Sequence, residues 1–217
     1  MLAIMGIIVA VLTRTGLGAN LSIMMIEIAG GKFLPIVFLG YVTCIVFGMA
    51  VTTVSAYILT VLLVAPSLLH FGVAPLNTHF FVFYAAILNA ITPPVAAGVV
   101  AAAGLAKTKF WPTCVESVKF AFPLFLLPML FIFVPELVTI GIKGLISTVV
   151  ILVMFCALAY AFQNTLSTKV GRGLMALLGS GGLASLYLSH QFIAYLLAGV
   201  IVLVLISPRV YQAIKAV

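Results

Sequence analysis

Asn89-Ala90-Ile91-Thr92-Pro93-Pro94 is the stretch on which the reading of this chain turns. An apolar run from Phe80 to Leu88 precedes it and a small-residue run from Val95 to Ala106 follows. It therefore interrupts a segment of about the length that spans a bilayer. Two consecutive prolines remove two backbone donors, fix φ at both positions and push Thr92 out of the helical region. A helix from Asn77 is expected to end near Ile91, and a second to begin near Pro94. Such a break leaves amides and carbonyls unpaired at membrane depth. That is tolerated only where protein buries them or a water-filled cavity receives them, and transporters use such breaks to hold ions and substrates. The alternative is a proline kink in an ordinary helix. Two prolines beside the polar side chains of Asn89 and Thr92 favour a site.

Composition sets the class around that stretch. Of 217 residues, 65% are hydrophobic and 6% charged, and the mean hydropathy is +1.42. So little polar surface cannot cover a soluble globule, which makes the chain an integral membrane protein. Long apolar runs of helix formers, without period-two alternation, favour an all-α bundle over an outer-membrane barrel. The net charge of +7 is no nucleic-acid signal, because the ten Lys and Arg are scattered between apolar segments without a basic stripe. Cys44, Cys114 and Cys156 are isolated and read as inert buried thiols.

Before the break, Met1 to Leu12 is apolar but too short to span, and it lacks the features of a signal peptide. It reads as the second part of a helix whose beginning is missing. Thr15 to Gly18 make a turn, and Leu21 to Ile28 is a short helix carrying Glu27, the only acid in the first hundred residues, expected at the interface. The stretch 33–71 reads as a hairpin: Phe33 to Phe47 and Tyr57 to Leu69 are helix-like, and Gly48 to Ser55 between them carries Thr52, Thr53 and Ser55 beside a glycine. A re-entrant hairpin would bring this hydroxyl-rich tip near the midplane, its unpaired backbone facing protein. The alternative is one long tilted helix whose Ser and Thr bond back to their own carbonyls. Pro66 and the turn from Gly72 to Pro75 close the hairpin, with His70 and His79 as solvated ends near the interface.

After the break, Lys107 and Lys109 mark one membrane face, with Trp111 and Pro112 at the interface and a short surface helix at Glu116 and Lys119. Phe120 to Val138, kinked by Pro123, Pro128 and Pro135, and Gly144 to Phe162 are spans. Gly173 to Leu188 and Phe192 to Ile206 are shorter apolar segments around Ser189, His190 and Gln191. Counting crossings places Arg14, Lys32 and Lys143 on one side, and Lys107, Lys109, Lys169, Arg172, Arg209 and Lys215 on the other. The positive-inside bias makes the second group, and with it the C-terminus, cytoplasmic, so the hairpin opens from outside.

The run from Gly72 to Ala106, GVAPLNTHFFVFYAAILNAITPPVAAGVVAAAGLA, with its Phe-Val-Phe-Tyr and Ile-Thr-Pro-Pro words, resembles the large membrane subunit of TRAP transporters, the tripartite ATP-independent periplasmic systems, and in particular their fused permease branch. The resemblance covers about Leu2 to Val138, with a looser match beyond. It implies secondary uptake of organic acids by symport with sodium, an extracytoplasmic solute receptor as partner, and an elevator-type transport domain in a cell inner membrane. The hairpin tip and the broken-helix loop would help form the ion and substrate sites, here at Gly48 to Ser55 and Asn89 to Pro94. The family's tip usually reads Gly-Met-Gly-Leu-Pro-Thr. This chain has Gly48, Met49, Ala50, Val51, Thr52 and Thr53 instead, so φ is more restricted at Ala50 and a donor returns at Thr52.

A complete large subunit has two inverted halves, and this chain resembles one of them, the C-terminal half. Residues 1–112 are expected as half of a transport domain, with the hairpin at 33–71 and the broken helix at 77–106. Residues 113–217 are expected as a surface helix and C-terminal membrane helices. The other half, or a small membrane subunit, is the expected protein partner within the lipid bilayer. Asn89 and Thr92 would offer side-chain oxygens to a sodium ion, Gly48, Ile91 and Pro93 would offer carbonyls, and Thr52, Thr53 and Ser55 would complete the tip, with helix N-termini suited to a carboxylate. Thr92, between the break and the prolines, is expected to find no partner for its hydroxyl in its own helix. Ser55, at the start of a helical run, is expected to bond back. A non-transporting assembly subunit is the alternative from another class. Without an Asp, a Ser-His or Glu-His constellation or a helix-borne metal pair, no enzyme or cofactor beyond sodium is expected.

Overall fold

The computed structural model describes residues 2–50, 52–139, 141–162, 176–182, 197–198 and 200–201, and every regular element among them is helical. They run α1 (Leu2–Arg14), α2 (Leu17–Ile28), α3 (Phe33–Ala50), α4 (Thr53–His70), α5 (Pro75–Ile87), a 3-10 turn (Leu88–Ala90), α6 (Ala97–Leu105), α7 (Phe110–Phe133), a second 3-10 turn (Pro135–Val138) and α8 (Ile142–Phe162). Among the described residues three helices are long and apolar enough to cross a membrane, at Thr53–His70, Phe110–Phe133 and Ile142–Ala159. Gly6–Arg14 with Leu17–Ile28 adds a pair bent by 66°. Ile7, Ile28, Phe38, Leu105 and Ile142 stand exposed, a surface suited to lipid and not to water. The chain is an α-helical, multi-pass membrane protein. It divides into two compact units, Met1–Val115 with Leu127–Ile132, and Glu116–Leu126 with Phe133–Val217.

In the first unit the bend between α1 and α2 falls at Gly16, whose φ of 66° needs a residue without a Cβ. α2 starts at Leu17, four residues before the expected Leu21. It lies against α4 through a face of small residues. Pro66 lacks the amide that would bond to the Leu62 carbonyl in a helix, and Gly18 sits against that carbonyl, 3.1 Å from where a Cβ would be. One turn on, the Ser22 hydroxyl donates to the Leu63 carbonyl. Small residues that admit a neighbouring backbone are a usual means of joining helices in lipid.

α3 and α4 fold back on one another. Gly40 meets Val64, the Phe33 and Phe71 rings lie 6.0 Å apart, and both pairings fit two antiparallel helices joined at residues 51–52. The long tilted helix is thus excluded. The turn is much tighter than the expected tip from Gly48 to Ser55: Gly48 belongs to α3, while Thr53 and Ser55 belong to α4. Each arm has 18 residues, about 27 Å long. Pro66 sits inside α4; the cap is instead Gly72, with φ 79° and its amide on the Leu69 carbonyl, 2.9 Å away.

α5 packs on both arms, burying Asn77, Thr78, Phe81, Val82, Ala85 and Ala86. Its other side is held by residues of α7: Phe131 lies 5.2 Å from Phe80 and 5.1 Å from Tyr84, and its carbonyl accepts from Asn77 Nδ2 at 2.7 Å. A 13-residue helix is marginal by itself, so these contacts and the arms define its place.

In the second unit Glu116 and Lys119 pair at 2.7 Å on the surface of α7, not on a separate surface helix as expected. Glu116 and Lys119 sit at i, i+3 on a continuous 24-residue helix. Pro112 falls in its first turn, where a missing amide costs no bond. The expected span from Phe120 to Val138 accordingly begins ten residues earlier and ends at Phe133, and the chain turns through Pro135–Val138 into α8. Gly144 of α8 sits where a Cβ would run into the Glu136 and Thr139 carbonyls. Of the segments expected at 173–188 and 192–206, only 176–182, 197–198 and 200–201 are described, and these are helical. Lys169, Arg172, Arg209 and Lys215, and the crossing count that uses them, lie outside the described residues.

Candidate ion and substrate site

The break is real and wider than the sequence suggests. α5 ends at Ile87, one 3-10 turn carries the chain to Ala90, and α6 begins only at Ala97. Nine residues therefore lie outside the α-helices, which excludes a simple proline kink. The Pro93–Pro94 peptide is cis. Ala96 caps α6 at φ 35°, a left-handed backbone that costs a residue with a Cβ about 1–2 kcal/mol. Its methyl is fully buried, in a cluster with Val99, Cys114 and Phe110 that holds it there.

Within the break, hydrogen bonding is uneven. The Leu88 carbonyl accepts the amides of Ile91 and Thr92, each at 3.1 Å, and the Thr92 hydroxyl at 2.7 Å. The Thr92 carbonyl accepts the Ala96 amide at 3.2 Å. The carbonyls of Ile91 and Pro93 accept nothing among the described residues, and neither does Asn89 Oδ1. Asn89 is buried, and its Nδ2 donates to the Gly48 carbonyl, which as a pure acceptor fixes the orientation of the amide. Gly48 is there because nothing larger fits: a Cβ would lie 2.8 Å from the Ala86 carbonyl and 3.4 Å from Asn89 Cβ.

Among the expected site residues, Gly48 and Asn89 are thus brought into direct contact across 41 positions of sequence. Ile91, Thr92 and Pro93 follow on the same loop, half-buried. Thr52, Thr53 and Ser55 form a separate group: Thr52 Oγ donates to Ser55 Oγ at 3.0 Å, and no hydrogen bond among the described residues joins them to Asn89 or Thr92. α3, not α4, is the arm against the 3-10 turn.

The hydroxyls reverse the expectation. Thr92 does bond back, to the Leu88 carbonyl four residues earlier, because the 3-10 turn continues the helical direction far enough to present it. Ser55 makes no bond back among the described residues, and its Oγ accepts from Thr52 instead. A threonine that gives its proton to a carbonyl still keeps oxygen lone pairs, so Thr92 Oγ is oriented as an acceptor. Asn89 is likewise divided, its amino group spent on Gly48 and its oxygen open. The Gly48 carbonyl holds one donor and retains a second lone pair.

Two features escaped the sequence reading. Gly98 brings α6 against the Ala90 carbonyl, 3.1 Å from where a Cβ would stand; its place four residues after the prolines was the available signal. His79, read as a solvated end, is half-buried and hydrogen-bonded to the Tyr57 hydroxyl at 2.8 Å, a long-range contact with no local signature. Among the described residues no group of three or more His, Cys, Asp or Glu could hold a metal ion, so a cation here would meet neutral oxygens.

Neither the curated proteins nor the solved structures contain a match to the chain. Residues 1–137 match the family described as the tripartite ATP-independent periplasmic transporter, DctM component. That match covers the bent pair, the hairpin, the broken helix and α7. With the greater part of its length matched, the chain belongs to the DctM component family of tripartite ATP-independent periplasmic transporters.

Proposed function

We propose that this membrane component couples uptake of organic acids to sodium entry, with the broken helix holding the ion. The observation that carries the reading is the set of acceptors left open around the break, among them Asn89 Oδ1, Thr92 Oγ and the carbonyls of Ile91 and Pro93, none facing a donor among the described residues. Hard cations stripped of water require several such oxygens, and backbone carbonyls at the ends of broken membrane helices are a recurrent source of them. The positive end of α6, where the amides of Ala97 and Gly98 bond to nothing among the described residues, suits a carboxylate beside the cation.

In this reading the hairpin and broken helix are one inverted half of an elevator-type transport domain, completed by the equivalent elements of a second half. An extracytoplasmic receptor delivers the substrate. Lys107 and Lys109 face the cytoplasm of an inner membrane, and the C-terminus lies on the same side. The hairpin is re-entrant, which for arms of about 27 Å requires tilt within a hydrocarbon layer of about 30 Å.

The test is uptake of a radiolabelled dicarboxylate by cells carrying the chain with its receptor and the other membrane components. Uptake that follows the sodium gradient and is lost in Asn89→Leu supports the reading. Uptake that follows a proton gradient and ignores sodium contradicts it. Cysteines at 107 and 109 should resist an impermeant thiol reagent in whole cells while one at 143 reacts; the reverse pattern inverts the orientation.

A further inference from the structure

Tyr57 on α4 and His79 on α5 stand at a cavity of about 610 Å³ whose remaining lining is Leu76, Phe80 and Phe83. The Tyr57 hydroxyl and His79 Nδ1 are 2.8 Å apart, and Phe83 meets Tyr57 edge-on at 5.6 Å. A tyrosine and a neutral histidine carry two donors between them, and their mutual bond uses one. Whichever of the two donates, one donor remains: the histidine Nε2–H when Tyr57 gives its proton, or the tyrosine O–H when His79 does. No carboxylate or other acceptor side chain lines the cavity to receive it.

The walls are apolar and open. Leu76 is 54% exposed, Phe83 41% and Phe80 36%. An apolar groove with one donor takes an amphiphile bearing an acceptor head. The groove also has a direction. His79 is in the second turn of α5, about 6 Å along the helix from Pro75, and Phe83 is about 6 Å further. A head at His79 would thus lie near the N-terminal end of α5, the end expected at the interface, with a chain running inward past Phe80 and Phe83.

We propose that this groove is a binding site for a phospholipid of the surrounding bilayer. A phosphate or ester oxygen accepts from the Tyr57–His79 pair, and one acyl chain lies along Leu76, Phe80 and Phe83. The site lies on α4 and the first half of the broken helix, outside the break at 88–96, and stands whether or not sodium drives transport.

The experiment uses membranes containing the full chain, fed with a phosphatidylglycerol that carries a diazirine in one acyl chain, photolysed and mapped by peptide mass spectrometry. Adducts should concentrate on residues 76–83. The double variant Tyr57→Phe, His79→Phe, which removes both donors and keeps the rings, should lower them roughly fivefold, the worth of about one hydrogen bond. Labelling near Phe38, another exposed apolar face, should not change, which also reports that the variant is folded. Equal labelling by a diazirine diacylglycerol lacking the phosphate would overturn the proposal in favour of a bare apolar surface. Loss of labelling when the transporter's other membrane components are co-expressed would overturn it in favour of a protein occupant.

Discussion

The hairpin and the broken helix are both interruptions of apolar helix, yet they leave their polar groups in opposite states. At the hairpin the chain reverses between Ala50 and Thr53, the Thr52 hydroxyl donates a hydrogen bond to Ser55 Oγ, and both sides are helix. At the break nine residues intervene, and the carbonyls of Ala90, Ile91, Pro93, Pro94 and Val95 and one side-chain oxygen are left without donors among the described residues. The difference lies in the residue types. Threonine and serine close a turn with their own hydroxyls, whereas paired prolines withdraw amides that no neighbour replaces. An interruption that satisfies itself is a structural joint; one that leaves acceptors aimed at nothing is suited to a cation.

Gly48 and Asn89 join the two regions by a hydrogen bond, so substitutions there should have the largest effects. Asn89→Leu strands the Gly48 carbonyl in a buried place and removes the open Oδ1. A cost of about 1–3 kcal/mol in stability is expected, with uptake reduced at least a hundredfold, read by thermal denaturation in detergent and by transport. Gly48→Ala sets a methyl against the Ala86 carbonyl, which as backbone cannot yield, so α3 must move off α5. About 1–3 kcal/mol of destabilisation is expected, with uptake falling even though no ligand oxygen is lost. Ser55→Ala should matter least. Thr52 is exposed and its hydroxyl can turn to another acceptor, so a change within about 0.5 kcal/mol and near-normal transport are expected. A large loss from Ser55→Ala would erase the distinction between joint and site.

The existence of both interruptions was legible in sequence because proline and glycine act locally. Pro93 and Pro94 marked the break, and the cluster from Gly48 to Ser55 marked the reversal. Their extents were not legible. α5 stops four residues before Ile91 and α6 starts three after Pro94, and the latter boundary depends on Ala96, held left-handed by burial against residues of α6 and α7. Pro112 was read at the membrane interface and lies in the first turn of α7, which sequence did not place so early. The Gly48–Asn89 bond and the Tyr57–His79 pair depend on packing between distant segments, which no window of sequence carries. Thr92 was read as unable to bond back, and a 3-10 turn that sequence did not anticipate gave it the means.

The most direct measurement is initial uptake rate against sodium concentration, at saturating receptor and substrate, for Thr92→Val, Thr92→Ser and Ser55→Ala in the complete transporter, with protein level checked by blot. Valine keeps the shape at position 92 and removes the oxygen, whereas serine keeps the oxygen and its bond to Leu88. Losing one ligand should cost roughly 1–3 kcal/mol, about ten- to a hundredfold in half-saturating sodium. The prediction is that Thr92→Val shifts the half-saturation by at least about tenfold, while Thr92→Ser and Ser55→Ala stay near the wild type. If Thr92→Val keeps the wild-type half-saturation and Ser55→Ala shifts it, the ion lies at the hairpin turn and the break is only a joint.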